Sequence, residues 1–135
     1  GIAEGLNLGD NARAALITRG LAEMSRFGIS HGGLPETYLG LCGVGDLVVT
    51  ASSFHSRNFQ AGLQIGEEDS AERFLETNTK TVEGIHAAKV VHEVAIEDNI
   101  SMPITEQVYK IVYENKKPSL ALEELMMRDL KQEAI

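Results

Sequence analysis

Apolar residues recur along most of this chain at three- and four-residue steps, the spacing that lines up side chains on one face of an α-helix. Leu16, Ile17, Gly20, Leu21, Met24 and Phe27 form the first such stripe. Asp10 stands just before it and suits an N-cap, because a short carboxylate can accept an unpaired backbone N–H. Gly28 suits a left-handed stop, so a helix is predicted over residues 10–27. Pro35 fits the first turn of a short helix, where no N–H is needed. The β-branched run Leu47, Val48, Val49, Thr50 has no hairpin partner nearby and is read as part of a short helix starting near Gly45.

The second half is clearer. Ser56, Arg57 and Asn58 mark a helix start before Phe59, Ala61 and Leu63, with a polar acidic turn at 67–70 and a single helical turn at 71–75. Residues 83–97 form an amphipathic helix in which Ile85, Ala88, Val94 and Ala95 share a face and Lys89 with Glu93 makes an exposed i,i+4 pair. Asn99 suits its stop. Pro103 opens another helix through Val108, Ile111 and Val112, ending near Asn115 to Pro118. Ser119 then caps a last helix carrying Leu122, Leu125, Met126 and Leu130. The expected fold is all-α, one helical domain over 1–135.

Composition narrows the function. With 43% hydrophobic and 24% charged residues, the chain has the balance of a globular protein rather than of a disordered or fibrous one. No apolar run is long enough to span a bilayer, and no secretory signal is visible. The single cysteine, Cys42, has no internal partner, which fits a reducing compartment. A soluble, intracellular protein is expected. The net charge of −8 argues against nucleic-acid binding. Residues 1–66 carry four basic and five acidic groups, residues 67–135 eight and fifteen, so an anionic ligand meets less repulsion in the first half. Arg13, Arg19 and Arg57 are three of its four cations.

Two stretches could carry chemistry. In Gly43-Val44-Gly45-Asp46-Leu47-Val48-Val49-Thr50, Asp46 is either a helix cap or a carboxylate facing a substrate, and Thr50, one turn on, would share its face. Ser56, Arg57 and Asn58 form either an exposed cap or an anion receptor, since a guanidinium binds phosphate bidentately and a helix start adds N–H donors. His31, His55, His86 and His92 lack metal-ligand spacing, so no metal site is expected. Gly43-Val44-Gly45 lacks the third glycine of a dinucleotide fingerprint, so this segment holds no nucleotide-binding unit.

Five motifs occur in order: Asn11-Ala12-Arg13-Ala14-Ala15-Leu16-Ile17-Thr18-Arg19-Gly20, the Gly43 to Thr50 segment, Ser56-Arg57-Asn58, Val82-Glu83-Gly84 and Met102-Pro103-Ile104. With these the chain closely resembles, over nearly its whole length, the C-terminal domain of bacterial NAD(P)-dependent glycerol-3-phosphate dehydrogenases. The resemblance implies a helical substrate domain following an N-terminal Rossmann domain. It implies hydride exchange between NAD or NADP and the pair dihydroxyacetone phosphate and sn-glycerol 3-phosphate, in glycerophospholipid synthesis in the cytoplasm. It assigns Asp46 and Thr50 to catalysis, and Asp46, Ser56, Arg57 and Asn58 to the substrate. Arg57, Thr81 and Glu83 fall at the cofactor.

The proton-donating lysine that the resemblance implies would lie upstream of Gly1, with Asp46 tuning it by charge. Residues 1–9, small and apolar, read as the end of an element begun earlier. The 135 residues alone are therefore expected to be inactive. The implied partners are a small phosphorylated substrate, the N-terminal domain and a second copy in a homodimer, with no nucleic acid and no membrane. A free-standing helical binding module and the helical domain of a sugar-acid dehydrogenase are the competing readings.

Overall fold

The computed structural model describes residues 1–32 and 56–133, and among these residues it is helical with no strand. The order is α1 (Ile2–Gly5), α2 (Asp10–Ser30), α3 (Arg57–Glu68), α4 (Glu72–Thr77), α5 (Glu83–Glu97), α6 (Pro103–Tyr113) and α7 (Pro118–Glu133). The short helices expected after Leu34 and near Gly45 lie outside the described residues. The all-α expectation holds. No helix among the described residues is long and apolar enough to cross a membrane.

The core forms where the stripes of α3, α4, α6 and α7 meet. Ala61 and Ile65 of α3 pack with Phe74 of α4, Ile111 and Val112 of α6 and Ala121 of α7, together with Ala71. Ile2, Val82, Ile85 and Val108 close over this cluster. Ala61, Ile85, Val108, Ile111 and Val112 are positions that the sequence periodicity sets inward, and burial of each large aliphatic side chain contributes roughly 1.5–3 kcal/mol.

α1 is only a turn long, yet it is held tightly against α3. Gly1 and Gly5 occupy one face of α1, and Gly62 and Gly66 one face of α3, each pair a helical turn apart. The two backbones touch directly. A methyl group on Gly62 would lie 2.8 Å from the Ile2 nitrogen and 3.0 Å from the Gly1 Cα, and one on Gly66 would lie 3.0 Å from the Gly5 Cα and collide with the Ile2 carbonyl oxygen. An ion pair between Arg13 and Glu4 then joins α1 to α2.

Several boundaries differ from those expected, for identifiable reasons. α2 runs on through Gly28 to Ser30, and His31 closes it with its ring against the Phe27 carbonyl (2.9 Å) and near Asp98 at the end of α5 (3.4 Å). Gly9, at a φ of 85° that favours glycine, takes the cap position of α2 in place of Asp10, and no side chain caps that end. Lys89 lies over the ring of Tyr113, 5.9 Å from its centroid, so α5 uses this lysine to cover α6 instead of to pair with Glu93. Ser119 does not cap α7. Its N–H and its hydroxyl both donate to the Asp69 carboxylate, at 2.8 Å each.

Asp69 is thus a remote cap, and Glu23 is another. Glu23 of α2, 3% exposed, accepts from the backbone N–H of Ile104, from that of Thr105 (3.3 Å) and from the Thr105 hydroxyl (3.4 Å), all in the first turn of α6. Burial pushes the Glu23 carboxyl above its ordinary value, and the N–H groups of Ile104 and Thr105 oppose part of that rise. Between α6 and α7, Lys116 donates to Gln107 (2.8 Å) and to Glu124, which holds the Glu124 carboxyl below its usual range.

Two outcomes follow for stability. Gly66→Ala would ordinarily strengthen a helix by roughly 0.5–1 kcal/mol, but here it overpacks two backbones, and overpacking costs about 1–3 kcal/mol. Urea unfolding should therefore show a net loss, and a gain would mean that α1 is not seated as described. The second concerns Glu23, whose folded carboxyl holds its proton more tightly than the unfolded one. Its contribution is full below the ordinary glutamate value of about 4.3 and is lost as the pH rises through the folded value. Glu23→Gln keeps an oxygen acceptor without ionising, so it should gain on the wild type over that window. Parallel stability–pH profiles would contradict this.

Candidate functional site

α3 and α5 begin side by side. Ser56, half-buried, caps α3 with its hydroxyl oxygen accepting from the Phe59 N–H at 3.4 Å. The next two residues, Arg57 and Asn58, are exposed in the first turn. α5 starts from Val82, which offers no polar side chain to its N–H groups. That deficit is made good from α3: the Asn58 Oδ1 accepts from the Gly84 N–H at 2.8 Å, across 26 residues of chain. One hydrogen bond thus draws together two helix starts, each carrying unpaired N–H groups and the positive end of a helix dipole.

Charge reinforces this. Arg13 is paired with Glu4, and Arg19 also has a partner, so neither offers a free guanidinium. Arg57 is exposed, and among the described residues no carboxylate pairs with it. The Thr81 hydroxyl and the Glu83 carboxylate are exposed at the entry to α5, beside Gly84. A hydroxyl and a carboxylate can bond the hydroxyl groups of a ligand, and a guanidinium can bind a phosphate bidentately.

A cleft of about 400 Å³ opens beside these helix starts. Asn58, Val82 and Gly84, Leu16 and Ile17 of α2 and Val108 of α6 are among the residues that line it. Its walls are mainly apolar, with the Arg13–Glu4 ion pair also among the lining residues.

Of the residues singled out from sequence, Ser56, Arg57 and Asn58 stand at the start of α3 and Thr81 and Glu83 at the entry to α5, and the Asn58–Gly84 hydrogen bond joins the two starts. Asp46 and Thr50 lie outside the described residues, as do Cys42 and His55. His92 stacks on Tyr109, ring centroids 4.2 Å apart, and His31 serves the end of α2. Among the described residues no three His, Cys, Asp or Glu side chains cluster so as to hold a metal. Sequence reasoning missed the part played by Gly84. The available signal was a glycine in the first turn of a helix that lacks its own polar cap.

Fold and geometry together give a domain, helical throughout its described residues, in which the exposed Arg57 stands at one of two joined helix starts. Comparison with known proteins makes the family specific. Residues 1–123 match the family described as NAD-dependent glycerol-3-phosphate dehydrogenase C-terminus. The chain is 49% identical over 133 residues to the glycerol-3-phosphate dehydrogenase [NAD(P)+] of Oceanobacillus iheyensis, covering 98% of this chain and 39% of that protein. It is 47% identical over 135 residues to that of Clostridium perfringens, covering 100% of this chain and 41% of the relative. The crystal structure of glycerol-3-phosphate dehydrogenase from Coxiella burnetii superposes with a TM-score of 0.84 at 44% identity, over 93% of this chain and 38% of that one. The chain belongs to the C-terminal domain family of the NAD-dependent glycerol-3-phosphate dehydrogenases, and it spans about two-fifths of the length of these relatives.

Proposed function

We propose that this chain is the substrate-binding domain, over residues 1–135, of an NAD(P)-dependent glycerol-3-phosphate dehydrogenase that interconverts dihydroxyacetone phosphate and sn-glycerol 3-phosphate, feeding glycerophospholipid synthesis. The observation that carries the reading is the exposed Arg57 at the start of α3, with no carboxylate paired to it among the described residues, joined through Asn58 to the start of α5. Relatives of the same name support it over nearly the whole chain. Their greater length supports an N-terminal nucleotide-binding domain as its partner within one polypeptide. The proposal extends to the cytoplasm as its location and to pairing of two copies as a homodimer, which sedimentation of the full-length enzyme checks.

On this reading the nicotinamide of NAD or NADP supplies or takes up the hydride. This chain's own residues bind and orient. Arg57 neutralises the substrate phosphate, and the N–H groups at the start of α3 converge on it. Ser56 and Asn58 flank it with further polar contacts. Arg57 also reaches the cofactor, which Thr81 and Glu83 line. Reduction of the ketone places negative charge on its oxygen, which a positioned proton donor must quench. Asp46 holds that donor charged by proximity, and Thr50, a turn along, offers a hydroxyl to the same substrate.

In the full-length enzyme, Arg57→Ala should raise KM for dihydroxyacetone phosphate roughly ten- to hundredfold, since a lost charge-assisted contact costs about 1.5–3 kcal/mol. An unchanged KM would remove the phosphate role. Asp46→Asn should depress kcat more than it raises KM, because the carboxylate acts on the proton donor rather than on ground-state binding. A loss confined to thermal stability would leave Asp46 as a helix cap alone.

A further inference from the structure

We propose that Asn58 is a positioning residue that locks the substrate-facing start of α3 to the cofactor-facing start of α5, so that both ligands are held by one rigid unit and bind cooperatively. The inference rests on the reading of Ser56, Arg57 and Asn58 as the substrate triplet and of Thr81 and Glu83 as cofactor-lining. It goes beyond that reading by giving Asn58 a second function, exercised with the other end of its amide.

Three observations carry it. The Asn58 Oδ1 is committed to the Gly84 N–H at 2.8 Å, while among the described residues no hydrogen bond engages its Nδ2 group, whose two N–H donors remain for an anion. α5 has no side-chain cap of its own, so this bond replaces one and fixes the direction in which Glu83 and Thr81 are presented. Residue 84 is a glycine where a Cβ would sit 2.9 Å from the Asn58 Oδ1 and 3.1 Å from its Cγ. A larger residue there would push the amide away. The chain therefore accepts a poor helix former in the first turn of α5 in order to admit a side chain from α3.

The consequence is linkage. A phosphate that draws on the Asn58 Nδ2 group holds the amide still, and with it the start of α5. A cofactor that settles against Glu83 and Thr81 holds the same bond from the other side. Each ligand then raises affinity for the other by the same factor.

The test uses the full-length enzyme with three variants, reading the Kd of NADH and NADPH by fluorescence without substrate, KM for dihydroxyacetone phosphate, and thermal stability. Asn58→Leu, which removes both ends of the amide, should weaken both ligands, the cofactor by about three- to tenfold, the worth of one net hydrogen bond. Asn58→Asp keeps an oxygen acceptor for the Gly84 N–H but sets a negative charge toward the phosphate. It should restore cofactor Kd to within about twofold of wild type, while KM for the substrate stays raised. A residue with only a stabilising role would not separate the two ligands in this way. Gly84→Ala displaces the amide while improving helix propensity, so it should weaken the cofactor without lowering the melting temperature.

If Asn58→Leu and Gly84→Ala both leave cofactor Kd unchanged, or if Asn58→Asp fails to restore it, the linkage is wrong. Arg57→Ala separates that failure from failure of the underlying reading. A raised KM for Arg57→Ala beside an intact cofactor Kd in the Asn58 and Gly84 variants would overturn the linkage alone. An unchanged KM for Arg57→Ala would overturn the substrate assignment and the linkage with it.

Discussion

An α-helix leaves about four backbone N–H groups without partners at its start, and this chain satisfies them over long distances. α5, α6 and α7 each receive a cap from another element: Asn58 of α3 on Gly84, Glu23 of α2 on Ile104 and Thr105, and Asp69 at the end of α3 on Ser119. The residues before α5 and α6, Val82 and Met102, carry no capping side chain. These helices are therefore complete at their starts only once the tertiary structure has formed. A local cap stabilises a helix wherever it happens to lie, whereas a remote cap stabilises it only in the right place. Orientation of α5, and hence of Thr81 and Glu83, is set in this way.

Much of the fold was legible in the sequence because apolar spacing reports which face of a helix is buried. The stretch 83–97 matched α5 at both ends, and Pro103 opened α6 as its fixed φ and absent N–H suggest. Asn99 and Asn115 do take left-handed conformations near helix ends. The caps were less legible. Asp10 and Ser119 look like N-caps by residue type, yet Gly9 holds the first position and Ser119 donates to Asp69. Residue type records what a side chain can bond, while the partner is chosen by packing between segments 26 to 82 residues apart. For the same reason Ser56, Arg57 and Asn58 could be picked out as a helix start, but the meeting of Asn58 with Gly84 could not. Glu23 sat unnoticed in the α2 pattern, where a single carboxylate reads as solvated until its burial is known.

The electrostatic asymmetry of the chain acquires a use in this arrangement. Most of the excess acid lies after residue 66, from Glu67 and Glu68 at the end of α3 onward, and much of it is exposed among the described residues. The cationic rim stands at the start of α3, before that excess begins. Arg57 therefore works against the general sign of the protein, and its field is local. An anion gains from it at short range, where the helix starts add their own partial charge, and is discouraged elsewhere.

The glycine crossing of α1 and α3 has a mechanical meaning. Interfaces built from long side chains absorb small displacements by changing rotamers, so they behave as soft bearings. Gly1, Gly5, Gly62 and Gly66 leave no such cushion, and the two backbones rest on each other like dry machined surfaces. Arg57 stands five residues before Gly62, a span of about 7.5 Å along α3. A shift of α1 by even a fraction of an ångström is thus carried with little slack into the backbone of α3, and along it to the helix start that bears Arg57.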